Sequence, residues 1–328
     1  MKILIIKPSS FGDIVQANPV ATALKQSFPD CSICWLVFDK FATVIELFTN
    51  IDNKVIWNRS GGLKDFFSVA SKLRKMNFDI VIDLQGLFRT ALLARLSGAK
   101  RIVGVPGMKE LSWLLVNEVF SESAKLNAVI RNLETVRFLT GKKFHPEFKI
   151  ALKDDTVKLC KEKFSFLKGD SEQKIIGVVA SARGVGKEWN LNNYTAVISS
   201  LINKYQNIKI ILLGLDNKLT FENDKVINFQ RKTTISELAY LLKECSLVLG
   251  GDTGPMHLAS ALGLKVVMLF GSSDVNETAP IANNAVILHK ILPCSPCRGR
   301  AKCNDLKCIN DITSKEVLSV IASSCELK

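Results

Sequence analysis

The chain has 328 residues, 47% hydrophobic and 23% charged, too apolar for a disordered polypeptide and long enough for two ordinary domains. Lys plus Arg (44) exceed Asp plus Glu (31) by 13, which points to an anionic partner, an anionic surface or a generally basic exterior. No stretch approaches the ~20 apolar residues of a membrane-spanning helix, and Ile3 to Ile6, between Lys2 and Lys7, is too short for a secretory signal core, so a cytoplasmic location is expected.

Residues 2–7, 33–38, 54–57, 79–84 and 101–105 are short apolar runs that read as strands. Between them, 14–28 places Ile14, Val15, Ala17, Ala21, Leu24 and Phe28 on one helical face, and 63–76 and 87–97 follow the same period. The pattern restarts with strands at 174–180, 208–214, 226–229, 246–250 and 265–270 and helices near 192–204, 234–244 and 255–263. Such alternation predicts an α/β protein of two doubly wound, Rossmann-like domains, each on a mostly parallel sheet. The joint is expected around 150–172, where Lys153-Asp154-Asp155 and Lys168-Gly169-Asp170-Ser171-Glu172 interrupt the apolar pattern. We place the domains at 1–165 and 166–312, with a terminal helix in 313–328 opened by a capping box of Thr313 and Glu316. A ligand is expected in the cleft between the domains, at the carboxyl ends of the strands. The first domain holds 25 basic and 16 acidic residues, +9, against +4 for the remainder.

Three loops carry candidate chemistry. In Lys7-Pro8-Ser9-Ser10-Phe11-Gly12-Asp13, a strand turns through small residues into a helix, with Asp13 at or near the N-cap. Asp13 either caps that helix or serves as a general base at the mouth of the cleft. In the second domain, Asp252-Thr253-Gly254-Pro255-Met256-His257 follows a strand, and Pro255 suits the first turn of a helix whose N-terminus favours a diphosphate. His257 stands on that turn, where its ring either reaches the same phosphate or plays a structural part. The loop Ser181 to Trp189 carries Arg183 and Lys187 among glycines, a candidate clamp on phosphate oxygens or an ordinary basic loop. No Gly-x-Gly-x-x-Gly and no Gly-x-x-x-x-Gly-Lys-Ser/Thr occurs, which argues against a dinucleotide enzyme or a P-loop. Nucleic-acid binding is disfavoured too, since no run of Lys or Arg is interleaved with aromatics.

The chain resembles the bacterial lipopolysaccharide heptosyltransferases, glycosyltransferases of the two-Rossmann-domain GT-B architecture. The resemblance runs over nearly the whole chain, through Lys7 to Asp13, Val81-Ile82-Asp83-Leu84-Gln85-Gly86-Leu87, Lys187-Glu188-Trp189 and, most specifically, Gly251-Asp252-Thr253-Gly254-Pro255-Met256-His257-Leu258-Ala259. Asp83 to Arg89 and Gly98-Ala99-Lys100-Arg101 are especially similar to the enzymes that act on the inner core. The resemblance implies inverting transfer of L-glycero-D-manno-heptose from ADP-heptose to Kdo-lipid A or to its mono-heptosylated form. Asp13 then matches the general base and Lys187 the lysine on the donor diphosphate. Asp252, Thr253, Gly254 and His257 match the donor loop, joined by Asp216 at the nucleoside and by Arg183. Ser9, Ser10, Gly12, Arg59, Lys64 and Arg89 form the expected acceptor set. Transfer of another envelope sugar, or sugar-nucleotide binding without catalysis, are the alternatives.

Nine cysteines without an export signal argue against a disulfide framework, and Cys31, Cys34, Cys160, Cys245 and Cys325 read as buried small residues. Cys294, Cys297, Cys303 and Cys308 cluster near the C-terminus, either as a structural zinc site or as reduced thiols of a surface loop. Catalysis is expected to need no cofactor, and the basic first domain to meet an anionic acceptor at the inner face of the cytoplasmic membrane, without insertion.

Overall fold

The computed structural model describes residues 1–120, 126–167, 173–300, 303 and 305–325. The chain divides into two units, Met1–Ala151 and Leu152–Lys328. The first comprises β1 (Lys2–Ile6), α1 (Phe11–Ser27), β2 (Ser32–Phe38), α2 (Ala42–Ile45), β3 (Asn53–Trp57), α3 (Gly62–Met76), β4 (Ile80–Asp83), α4 (Phe88–Leu96), β5 (Arg101–Gly104), β6 (Glu118–Val119) and α5 (Ala128–Thr140). The second comprises α6 (Asp154–Lys163), β7 (Lys174–Val179), α7 (Leu191–Lys204), β8 (Ile208–Leu212), β9 (Val226–Asn228), α8 (Ile235–Glu244), β10 (Leu247–Gly251), α9 (Gly254–Ala261), β11 (Val266–Phe270), α10 (Val275–Thr278), β12 (Ala285–His289), α11 (Lys307–Asn310) and α12 (Ser314–Cys325).

Each unit holds one six-stranded parallel sheet, ordered β3-β2-β1-β4-β5-β6 in the first and β12-β11-β10-β7-β8-β9 in the second. Counted within its own unit, each order is 3-2-1-4-5-6, the doubly wound arrangement. Its central strands are covered on both faces, so Ile3 to Ile6 and Leu247 to Leu249 are continuous apolar runs rather than alternating ones. The order reverses between β1 and β4, and again between β7 and β10. At those two points the neighbouring crossovers leave to opposite sides, and a crevice opens beyond the carboxyl ends of the strands.

The ten strands read from the sequence all form, within two residues of the expected ends. Two more, β6 and β12, complete the sheet edges; β6 has only two residues, too few for any periodicity. Helix α1 is buried around most of its circumference because α5 packs over it, so its sequence shows no clean amphipathic face. Its N-cap is Ser10, with Asp13 at the third helical position.

The first unit ends after Ala151, earlier than the boundary expected at 165. The polar stretch from Asp154 forms α6, whose continuation Phe164 stacks on Tyr240 at 6.0 Å and meets Phe229 edge-on at 5.4 Å, tying it to the second unit. Lys168 to Glu172 lie outside the described residues. The terminal helix α12 is likewise no separate part, since Val317, Ile321 and Cys325 enter the second unit's core beside Trp189 and Tyr194. Its capping box forms as read, with Thr313 N–H donating to Glu316 Oε2 at 2.8 Å and Glu316 N–H to Thr313 Oγ1 at 3.2 Å. All five scattered cysteines are buried. With the boundary at 151, the first unit carries 21 basic and 13 acidic residues, +8, and the second +5.

Candidate active site

In the second unit, the switch point brings together the loop after β7 and the turn after β10. Asp252 leaves β10 almost wholly buried, and its carboxylate is the hub of the loop cluster. Oδ2 accepts from Lys187 Nζ at 2.5 Å and from Ser273 Oγ at 2.6 Å, while Oδ1 lies 2.9 Å from His257 Nε2. Burial opposes ionisation of Asp252, but His257 and then Lys187 outweigh it and hold the carboxyl well below the usual range. Lys187 remains about one-third exposed on the loop, so its ammonium is fixed on one side and open on the other.

The turn then starts α9, with Thr253 as N-cap and Gly254 and Pro255 as its first residues. Thr253 C=O accepts from His257 N–H at 3.2 Å, which places the imidazole on the first turn. Its ring is nearly buried and engages Asp252. Through Nε2 the ring buttresses the Asp252 carboxylate. The N-terminus of α9 itself supplies the partial positive charge for an anion.

Two glycines let the Lys187 loop lie against the sheet. A Cβ on Gly251 would stand 2.5 Å from Lys187 C=O, and one on Gly271 would stand 2.2 Å from Gly186 C=O. Ser272 N–H donates to Gly186 C=O at 3.0 Å and closes this contact. Trp189, buried at the loop's end, donates Nε1–H to Ile312 C=O at 2.8 Å. Arg183 is exposed on the same loop, and Asp216 is half-exposed on the loop after β8. Among the described residues neither joins the Asp252 cluster.

In the first unit, the switch point joins the loops after β1 and β4. Asp13 Oδ2 accepts from Ser10 N–H at 3.0 Å and from the Ser10 hydroxyl, so Asp13 does cap α1. Gly12 is buried beside it, and Ser9 and Ser10 approach solvent. Sequence reasoning left unassigned the groups beneath. Lys7 is buried and donates Nζ–H to Leu84 C=O at 2.9 Å. Burial lowers its pKa, and the charge of Asp13 works against that shift. Asp83 is fully buried; it accepts from Gln85 N–H at 2.9 Å, Gly86 N–H at 3.1 Å and Thr90 Oγ1 at 3.0 Å. Burial pushes its carboxyl up to about 6. Gln85 Oε1 is buried with no hydrogen-bond partner among the described residues, an acceptor available to a ligand. A polar residue just past an apolar strand was the available signal for these groups.

Of the expected acceptor residues, Arg59 and Arg89 converge on one aromatic platform. The Arg59 guanidinium lies 5.5 Å from the Phe38 ring centre, and that of Arg89 lies 5.7 Å from Phe38 and 5.9 Å from Trp57. Phe38 and Trp57, the last residues of β2 and β3, thus orient two cations at the sheet's carboxyl end. Lys64 stands exposed on the first turn of α3.

The C-terminal cysteines differ in setting: Cys294 is exposed, Cys297 and Cys303 are half-buried, and Cys308 is buried. Burial and the other three sulfurs push the Cys308 thiol up, while Cys303 Sγ donates to Asp305 Oδ1 at 3.2 Å. No three potential ligands among the described residues are grouped to hold a metal ion. Arg298, Gly299 and Leu306 turn the chain through positive φ within this segment.

Two doubly wound domains, each with polar loops at its switch point, are the architecture shared by two-Rossmann glycosyltransferases. The chain is similar over 99% of its length to the Escherichia coli ADP-heptose LPS heptosyltransferase II structure (TM-score 0.81, 20% identity, 99% of that chain). It is similar over the same share to a glycosyltransferase family 9 structure from Veillonella parvula (TM-score 0.85, 18% identity, 97% of that chain). The model of glycosyltransferase family 9 (heptosyltransferase) matches residues 66–307, and the chain belongs to that family. Among curated relatives, lipooligosaccharide heptosyltransferase 2 of Campylobacter jejuni is 27% identical over 336 residues, covering 97% of this chain and 96% of that protein.

Proposed function

We propose that the protein transfers L-glycero-D-manno-heptose from ADP-heptose, with inversion, to Kdo-lipid A or to its mono-heptosylated form. The observation that carries this reading is the Lys187–Asp252–His257 cluster at the N-terminus of α9. As the glycosidic bond to the diphosphate breaks, negative charge grows on the leaving ADP. Lys187 and the α9 terminus are fixed in advance where that charge is to be met, worth about 2–4 kcal/mol for one such donor in a closed site. Asp252 holds the ammonium in place, so little reorganisation is needed as the bond breaks. Thr253 and Gly254 lend the backbone of the donor turn, and Arg183 and Asp216 on the neighbouring loops reach the remaining phosphate and the nucleoside.

Asp13 removes the proton of the acceptor hydroxyl as it attacks the anomeric carbon. Its hydrogen bonds from Ser10 orient the carboxylate. Arg59 and Arg89, with Lys64, Ser9 and Gly12 around them, receive carboxylates and phosphates of the acceptor. The scheme calls for no cofactor, since protein cations neutralise the leaving group. An acceptor borne on lipid A places the enzyme in the cytoplasm, at the inner face of the membrane.

Incubating the protein with ADP-heptose and each acceptor, then weighing the products, tests this reading. A gain of one heptosyl unit on either acceptor is expected. Absence of transfer to both, with transfer of a different sugar or none, would overturn it.

A further inference from the structure

The rim of the first unit that carries Asp13 also exposes a set of large apolar side chains. Leu63 and Phe67 project from the start of α3, Phe88 opens α4, and Leu111, Trp113 and Leu114 lie on the segment after β5. Leu63 and Leu114 are 76% and 72% exposed. These are not the tips of a slack loop. Lys109 N–H and Ser112 Oγ–H both donate to Gly86 C=O, at 2.9 and 3.1 Å, and Phe88 N–H donates to Glu110 Oε2 at 3.1 Å. Ser112 is wholly buried, and the turn around it packs on α4, which in turn packs beside α3. Phe67 is joined to the same frame through Phe66, 5.5 Å away, and Trp57, 5.9 Å beyond.

The charges around this rim have one dominant sign. Lys64 is exposed at the start of α3, Arg89 at the start of α4, and Lys40, Arg59 and Lys109 on the flanking turns. The nearby acids are engaged within the fold: Asp39 accepts from Arg59 N–H, Asp65 from Asn58 N–H and Glu110 from Phe88 N–H. Apolar side chains held outward by a rigid frame within a basic field match the interface of an anionic bilayer, whose headgroups attract the cations while its acyl boundary receives the apolar tips. We propose that this rim seats the protein on an anionic lipid surface, with Trp113 and Leu114 entering the interface. The inference rests on the lipid-borne acceptor of the proposed function, and it brings the membrane to the sheet end at which Asp13 stands.

Vesicles of phosphatidylcholine, with and without about 40% phosphatidylglycerol, test it in sedimentation and fluorescence. Trp35, Trp57 and Trp189 are buried, so Trp113 is the exposed member of the four tryptophans and its emission reports the contact. The protein is expected to bind the anionic vesicles with a blue shift in emission, and to keep part of that binding in high salt. A Trp113→Ser, Leu114→Ser double variant is expected to bind at least about tenfold more weakly, with unchanged transfer to a deacylated, soluble acceptor. Equal vesicle binding by the double variant overturns the proposal, as does binding that high salt removes completely. So does a wild-type protein that ignores anionic vesicles yet transfers heptose to the deacylated acceptor, which leaves the functional reading standing. Failure of that soluble transfer counts against the functional reading instead.

Discussion

The Lys187 ammonium and the Asp252 carboxylate meet at 2.5 Å although their residues lie 65 positions apart, one on the loop after β7 and the other just past β10. Asp252 is buried and Lys187 is partly open, so the pair works as a mount: the carboxylate fixes a cation that still faces outward. Replacing Lys187 by Met removes the cation and keeps much of the side chain's volume. Steady-state kinetics of Lys187→Met should show kcat/KM lowered about 10²- to 10³-fold, with an unchanged circular dichroism spectrum. A loss below about threefold would separate Lys187 from the leaving group.

Asp252 also makes stability depend on pH in a defined direction. Its folded carboxyl is held below the ordinary value of 3.8, so the stabilisation is present above that value and is lost as pH falls through the folded one. Asp252→Asn breaks the buried pair and should cost about 3–5 kcal/mol at neutral pH. Thermal melts of both proteins from pH 7 down to pH 3 should show the gap narrowing only below about pH 4. A gap that stays constant across this range would mean that packing, not the ion pair, accounts for the loss.

The position of the Lys187 loop depends on a glycine in the neighbouring strand connection. A methyl group on Gly271 would stand 2.2 Å from Gly186 C=O, a backbone atom that cannot rotate aside. Gly271→Ala should therefore cost about 1–3 kcal/mol and lower turnover by displacing the loop. Chemical denaturation paired with kinetics checks both effects. Wild-type activity in a destabilised variant would show that the loop finds its place without this contact.

How much of this was legible in the sequence follows from the range of the forces involved. Strands such as Ile3–Ile6 announce themselves as short unbroken apolar runs, and helices such as α8 because burial on one face imposes a local period. The loops at the switch points were legible too, since Asp13 and Lys187 stand in polar, glycine-bearing loops that end an apolar run and Asp252 follows one directly. What no local pattern discloses is pairing across the fold. Ser273 on Asp252, Lys7 under Leu84, and Phe38 with Trp57 beneath Arg89 are set by parallel strand order, which brings residues tens of positions apart to one sheet end. Helix α1 shows the converse: α5 buries its outer side, so the sequence carries less periodicity than the structure needs.

Whether Asp13 takes the acceptor's proton is tested with the least disturbance by Asp13→Asn. The Asn side-chain oxygen can still accept from Ser10 N–H, so the cap on α1 survives while the base is removed. Product formation from ADP-heptose and the acceptor, measured beside ADP affinity, separates the two roles. Transfer is expected to fall about 10²- to 10⁴-fold, with ADP binding within twofold of wild type. Turnover retained near the wild-type rate would contradict it and leave Asp13 as a helix cap alone.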